Sequence, residues 1–377
     1  MQKYDRSNLF ENALFLFVFG IFLCVSAYPQ IPKEYDQAVA QSRRIIADTM
    51  AKQNIPGLSI AVAVNGKIIW SEGFGFADLE NQVRVTPATR FRIASVSKPL
   101  TAAAMARLYE QGKLDLDAPV QRYVPNFPRK EQEITTRQLV GHLSGIRHYR
   151  RDPDESKDEF YNRKEYYKSV AESLKVFQDD SLESQPGAKY GYSSFGYTLL
   201  SAVIEGASGQ DFLIYMQEQV FKPLNMNSSS ADENRKIVPN RTRFYSLDAN
   251  KQWVNASYID RSYSWADGGF LSTSEDLVRF GSAHLKSGFL KEETRKQIFT
   301  SQRTNDGIET GVGFGWRINK DKEGRLYYFH PGENVGGRSY LLVYPDKKVV
   351  VAMLHNLTGA SLASIINISK LFVAEKP

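Results

Sequence analysis

The chain has 377 residues, 42% hydrophobic and 24% charged, with 48 Lys and Arg against 42 Asp and Glu for a formal net charge of +6. That is the make-up of a globular protein long enough for one large core or two interlocked domains. No low-complexity tract or short-period repeat occurs, which excludes solenoids and propellers, and acids are interleaved with Lys and Arg even between Arg147 and Lys175, which excludes a nucleic-acid footprint.

In chain order, Lys3 and Arg6 precede an apolar run from Ala13 to Val25, and Val25-Ser26-Ala27 offers small residues for cleavage. Residues 1–27 therefore read as a secretory signal peptide, which predicts a secreted or periplasmic protein. The run is too short for a comfortable membrane span, so no stable span is expected after cleavage. Cys24 is the only cysteine, and its removal would leave no disulfide, thiol nucleophile or thiolate metal site. Tyr35 to Gln53 has helical periodicity. Leu58 to Val64, the type I′ signal Asn65-Gly66 and Lys67 to Trp70 read as a β-hairpin. Ser95 to Gly112 returns to helical spacing, and residues up to about 255 read as mostly helical. Strands reappear at Gly313–Ile318, Leu326–His330, Ser339–Tyr344 and Val349–Leu354, and Ala360–Val373 closes as a helix. The expectation is an α+β plan in which an antiparallel sheet flanked by helices is built from residues 28–110 and 256–377. A mainly helical domain of residues 111–255 is inserted between them.

The chemistry concentrates at three places. Ser95 is the only serine with a lysine three positions on, and helix geometry puts Lys98 on the same face. A lysine there can take the hydroxyl proton or stabilise the alkoxide, which an alcohol needs to become a nucleophile. The same pair is also what a Ser cap beside an ordinary Lys would show. Tyr192 lies between the turn Pro186-Gly187 and a helix starting near Gly196, where a side chain projects into a cleft; near cations it would serve as general base. His330-Pro331-Gly332 follows an apolar strand, and a titratable His330 would hold positive charge against a substrate carboxylate or a moving proton. His142 reads as a helix-end residue that bonds locally. No metal-ligand spacing occurs, so neither a metal nor a cofactor is expected.

Ser95-Val96-Ser97-Lys98, Tyr192-Ser193-Ser194 and His330-Pro331-Gly332, in that order, resemble the serine β-lactamase and penicillin-binding protein superfamily, in its branch of class C enzymes, D,D-peptidases and esterases. Ile55-Pro56-Gly57-Leu58, Phe91-Arg92-Ile93-Ala94, Gly268-Gly269-Phe270-Leu271-Ser272-Thr273 and Phe314-Gly315-Trp316 extend the likeness over residues 35–370. Ser144-Gly145-Ile146-Arg147-His148-Tyr149 and the run from Tyr192 to Leu200 look like the mitochondrial-type subfamily and its bacterial relatives.

The resemblance implies a β-lactamase/transpeptidase-like fold with an all-α domain beside the sheet, and an acyl-enzyme on Ser95. Lys98 and Tyr192 would manage its proton. The backbone N–H groups of Ser95 and Glu333 would bind the oxyanion, and His330 would stand where β-lactamases usually have Lys. Ser194, Gly332 and Glu333 would contact substrate. Ser194 replaces an Asn and Pro331 a Thr, which moves the expectation from β-lactams toward a peptide or small amide or ester substrate. Two alternatives stay open: a self-assembling homo-oligomer or filament with little turnover, and a penicillin-recognising protein that deacylates slowly.

Overall fold

The computed structural model describes residues 31–154 and 157–373; the signal sequence expected over residues 1–27 lies outside them. Helix α1 (Asp36–Gln53) ends where Asn54 turns left-handed at φ 54°, a conformation Asn tolerates at a helix end. Strand β1 (Gly57–Val64) and strand β2 (Lys67–Asp78) follow. They are joined by Asn65 and Gly66 at φ 51° and 76°, the positive pair that a type I′ turn requires. β2 pairs with the short strand β3 (Val83–Arg84).

The chain returns to this sheet after residue 316, as β4 (Arg317–Lys320), β5 (Leu326–Asn334), β6 (Gly337–Tyr344) and β7 (Val349–His355). The seven strands lie in the order β3-β2-β1-β7-β6-β5-β4, every pair antiparallel. β1 and β7 are thus neighbours, in register at Ile60–Met353 and Val62–Val351. Both are apolar nearly throughout because the sheet is covered on both faces, so they lack the alternation of a half-exposed strand. Ile60 and Val62 pack with Val39 and Ile46 of α1 and with Ile365 and Ile368 of the last helix, α5 (Ser364–Val373). Ala61 and Ala63 point the other way, into the core that holds Leu277 and Phe280 of α4 (Ser274–Ala283).

Two further helices matter for the site: α2 (Ser97–Glu110) and α3 (Ser194–Ser208), both largely buried. The expected helix from Ser95 starts later than its periodicity suggests, because Ala94–Val96 forms a tighter 3₁₀ turn before α2. Between residues 111 and 255, α3 is the long helix, and much of 141–169 is irregular. β5 supplies the docking edge. Its pairing with β4 ends at Phe329–Arg317, whereas its pairing with β6 runs on to Asn334. Residues 330–334 therefore present a strand edge without a ladder partner, and the turn carrying Ser95 packs against it.

Candidate active site

Phe91 and Arg92 form a short strand against Ser272 and Leu271. The backbone then turns through Ala94 at φ 48°. A left-handed alanine costs about 1–2 kcal/mol, and packing on both sides holds it there. The Arg92 guanidinium bonds the Asp232 carboxylate at 2.6 Å and the Val335 carbonyl at 2.9 Å, which ties the turn to the end of β5. Gly332 completes the close approach. A Cβ at that position would lie 2.2 Å from Ser339 Oγ and 2.4 Å from the Ile93 carbonyl oxygen, so the edge can approach the nucleophile's turn this closely only with glycine.

Lys98 is fully buried beneath Ser95. Its Nζ donates to Ser95 Oγ at 3.3 Å, to Ser194 Oγ at 3.1 Å and to the Asp267 carbonyl at 2.9 Å. Three acceptors match the three protons of an ammonium. The same Nζ sits 4.9 Å from the centre of the Tyr192 ring, and the Arg317 guanidinium lies 5.6 Å from it. Tyr192 therefore has two basic side chains within 6 Å of its ring centre.

Two histidines fix the start of α3. The Ser193 and Ser194 N–H groups donate to Nδ1 of His142 and of His148, each at 3.2 Å, so both neutral rings carry their proton on Nε2. His142, expected to bond locally, instead reaches across 51 positions because its own backbone is left-handed at φ 58°. Ser193 caps α3, accepting the Gly196 N–H at 2.9 Å.

Burial, reinforced by Lys98, Arg317 and neighbouring His148, holds His142 well below the usual imidazole range. His148 is pushed down to about 3 by burial, then by Lys98, Arg151 and Arg147. His330, with Nδ1 2.7 Å from the Pro331 carbonyl, is likewise pushed well down by burial, Lys98 and Arg317. Burial and the nearby Lys98 and Arg317 side chains thus work against the positive, titrating His330 expected from sequence.

Ser95, Tyr192, Ser194, His330, Gly332 and Glu333 line one cleft of about 280 Å³, with Lys98 directly beneath the serine. The Glu333 carboxylate pairs with Arg338 on β6. The Ser194 hydroxyl accepts from the Lys98 Nζ at 3.1 Å. The same cleft holds His148, Asp267 and Arg317, which motif reading passed over. Asp267 immediately precedes the Gly268-Gly269 pair and Arg317 follows Trp316, so each lay one residue outside a recognised motif. His148 and Tyr149 stood inside one, with no local pattern to mark them as site residues. Among the described residues no cluster of His, Cys, Asp and Glu is arranged to hold a metal ion.

A two-faced antiparallel sheet with a serine, a buried lysine and a tyrosine gathered at one strand edge defines the serine hydrolases of the β-lactamase and penicillin-binding protein fold. Residues 42–372 match the Beta-lactamase family, and the chain belongs to it. It is 35% identical to the mouse (Mus musculus) serine beta-lactamase-like protein LACTB, mitochondrial, over 85% of this chain and 75% of that one. It is 36% identical to the human (Homo sapiens) counterpart over 85% and 74%. Among solved structures, the octameric penicillin-binding protein homologue from Pyrococcus abyssi superposes with a TM-score of 0.75 at 27% identity, covering 88% of this chain and 76% of that one. The secreted or periplasmic placement read from residues 1–27 is overturned by these relatives: the mammalian proteins are mitochondrial, not exported. An apolar stretch after a few positive charges is too generic a pattern to fix a compartment. No helix among the described residues is long and apolar enough to cross a membrane.

Proposed function

We propose that the protein hydrolyses an amide or ester bond, with peptides as the leading substrate class, through an acyl-enzyme on Ser95. The observation that carries this reading is the fully buried Lys98, its Nζ 3.3 Å from Ser95 Oγ, at the edge of an open cleft. With all three Nζ protons donated, Lys98 supplies positive charge rather than a lone pair, which leaves Tyr192 to take the serine proton. Ser95 Oγ then attacks the carbonyl carbon. The oxyanion is received by the backbone N–H groups of Ser95 and Glu333, on the turn and on the unpaired edge that Gly332 brings together. Tyr192 returns the proton to the departing amine or alcohol, and water releases the acyl group by the reverse sequence. Neutral His330 orients substrate through its ring without changing charge. The Ser194 hydroxyl, engaged by Lys98, holds that lysine in place.

A fluorophosphonate or penicillin probe is expected to label the wild type covalently and to leave Ser95→Ala unlabelled; equal labelling of the two would overturn the assignment. The octameric state named for the Pyrococcus homologue favours a second reading, self-assembly of this chain. Light scattering on the purified protein tests it, and a monomer across the micromolar range would exclude it.

A further inference from the structure

We propose that Asp267 is a positioning residue and the counter-charge of Lys98: its carboxylate keeps the lysine beneath the nucleophile protonated. The proposal rests on the reading of Ser95 as nucleophile and adds what sets the state of its lysine.

Asp267 is reached from two sides. Arg261 has no acceptor atom, so it can only start a chain. From one end, Arg261 donates to the Tyr263 hydroxyl at 2.9 Å, Tyr263 to the Tyr149 hydroxyl at 3.5 Å, and Tyr149 to Asp267 Oδ2 at 2.9 Å. From the other side, Lys98 Nζ donates to Ser194 Oγ at 3.1 Å and to the Asp267 backbone carbonyl at 2.9 Å. Thr198 Oγ1 adds a weaker contact to Oδ1 at 3.4 Å. Both sets of bonds begin at a basic side chain and end on Asp267, one at its carboxylate Oδ2 and the other at its backbone oxygen. An ionised carboxylate accepts the Tyr149 and Thr198 hydroxyls as they stand.

Charge balance points the same way. Lys98 faces Tyr192 and Tyr197 near the start of α3, the neutral rings of His142, His148 and His330, and the cation of Arg317. None of these compensates a buried ammonium. Of the two acids lining the cleft, Glu333 is paired with Arg338, and Asp267 is 3% exposed with its backbone oxygen already bonded to Lys98. Burial holds the Asp267 carboxyl above the usual carboxylate range, and Lys98, the Tyr149 hydroxyl, Arg261 and Ser194 pull against that shift.

The test is the pH midpoint of the Lys98 side chain, read by ¹³Cε-lysine NMR with Lys98→Arg to assign the signal. Asp267→Asn keeps the shape and removes the charge. Its Lys98 midpoint is expected to fall by about one pH unit or more, because an ammonium among Arg317 and Arg261 has then lost its counter-charge. An unchanged midpoint in the folded variant overturns the proposal. Should the Asn variant fail to fold, Asp267→Ala, which leaves room for water among the hydroxyls, carries the same expectation and the same overturning result. Probe labelling of Ser95 is followed in parallel. Absence of labelling in the wild type counts against the nucleophile reading alone, since the midpoint is measured without turnover.

Discussion

The sheet face beneath α1 and α5 is filled by Val39, Ile46, Ile60, Val62, Val351, Ile365 and Ile368, all at most 1% exposed. The cleft end is equally dry but is filled by Lys98, Asp267, Arg92, Asp232 and Arg261, none more than 4% exposed. The first region is held by area removed from water, roughly 1.5–3 kcal/mol for each large side chain fully buried, and its contacts are interchangeable if volume is kept. The second gains little from burial itself, because each desolvated charge is costly until a named partner offsets it. Its groups are therefore committed to named partners, Arg92 to the Asp232 carboxylate and Lys98 to the Ser194 hydroxyl and the Asp267 backbone oxygen. The apolar face should lose stability in graded amounts. The cleft should lose function abruptly at single atoms.

The largest expected effect sharpens that contrast. Ser95→Ala removes one oxygen and should lower turnover by about 10³-fold or more, while the melting temperature stays within a few degrees. A catalytically competent variant would break the comparison at its centre. Next comes Gly332→Ala, where the added methyl meets Ser339 and the Ile93 carbonyl. Displacing the edge from the nucleophile by a fraction of an ångström should reduce the labelling rate by about 10²-fold, and a wild-type rate would show that the edge is not part of the site. On the apolar face, Ile365→Ala should cost about 2–5 kcal/mol in denaturant unfolding yet leave the labelling rate of folded molecules unchanged. A rate falling in proportion to stability would mean that the two regions are not independent.

The histidines give a prediction that spans both regions. All five are held below the usual value of 6.5, with His284 and His355 at about 4 and His148 at about 3. The unfolded chain takes up protons below about pH 6.5 that the native state refuses. Stability is therefore fully present above that pH and falls as pH drops toward the folded values, by at most about 1.4 kcal/mol per unit for each histidine. A melting temperature that stays flat from pH 7 to 4.5 would contradict the neutral burial of these rings. The smallest effect concerns His330→Gln, which should leave the shape of the pH–rate profile between pH 5 and 8 unaltered, because the native ring does not titrate there. A limb that disappears in the variant would restore the charge-changing role that Lys98 and Arg317 argue against.

Much of this was legible in the chain because it is local. The i, i+3 spacing of Ser95 and Lys98, the Asn65-Gly66 turn and the late apolar runs each depend on residues a few positions apart, where backbone sterics and side-chain period act directly. Boundaries slipped where a long-range partner decided them. β5 extends past His330 to Asn334 because β6 continues beside it, and the helix expected from Ser95 gives way to a tight turn because Ala94 is held left-handed.

The sequence by itself determined the nucleophile candidate, its lysine and the tyrosine that joins them, since each announces itself by type and neighbourhood. Only the tertiary structure decided which buried acid answers the buried lysine, which histidines are silenced and which edge meets Ser95. Those depend on joining distant segments, as where the Gly57 N–H meets Asn356 Oδ1 across 299 positions. Electrostatics inside a dry cleft follows distance in space, and no periodicity along the chain records it.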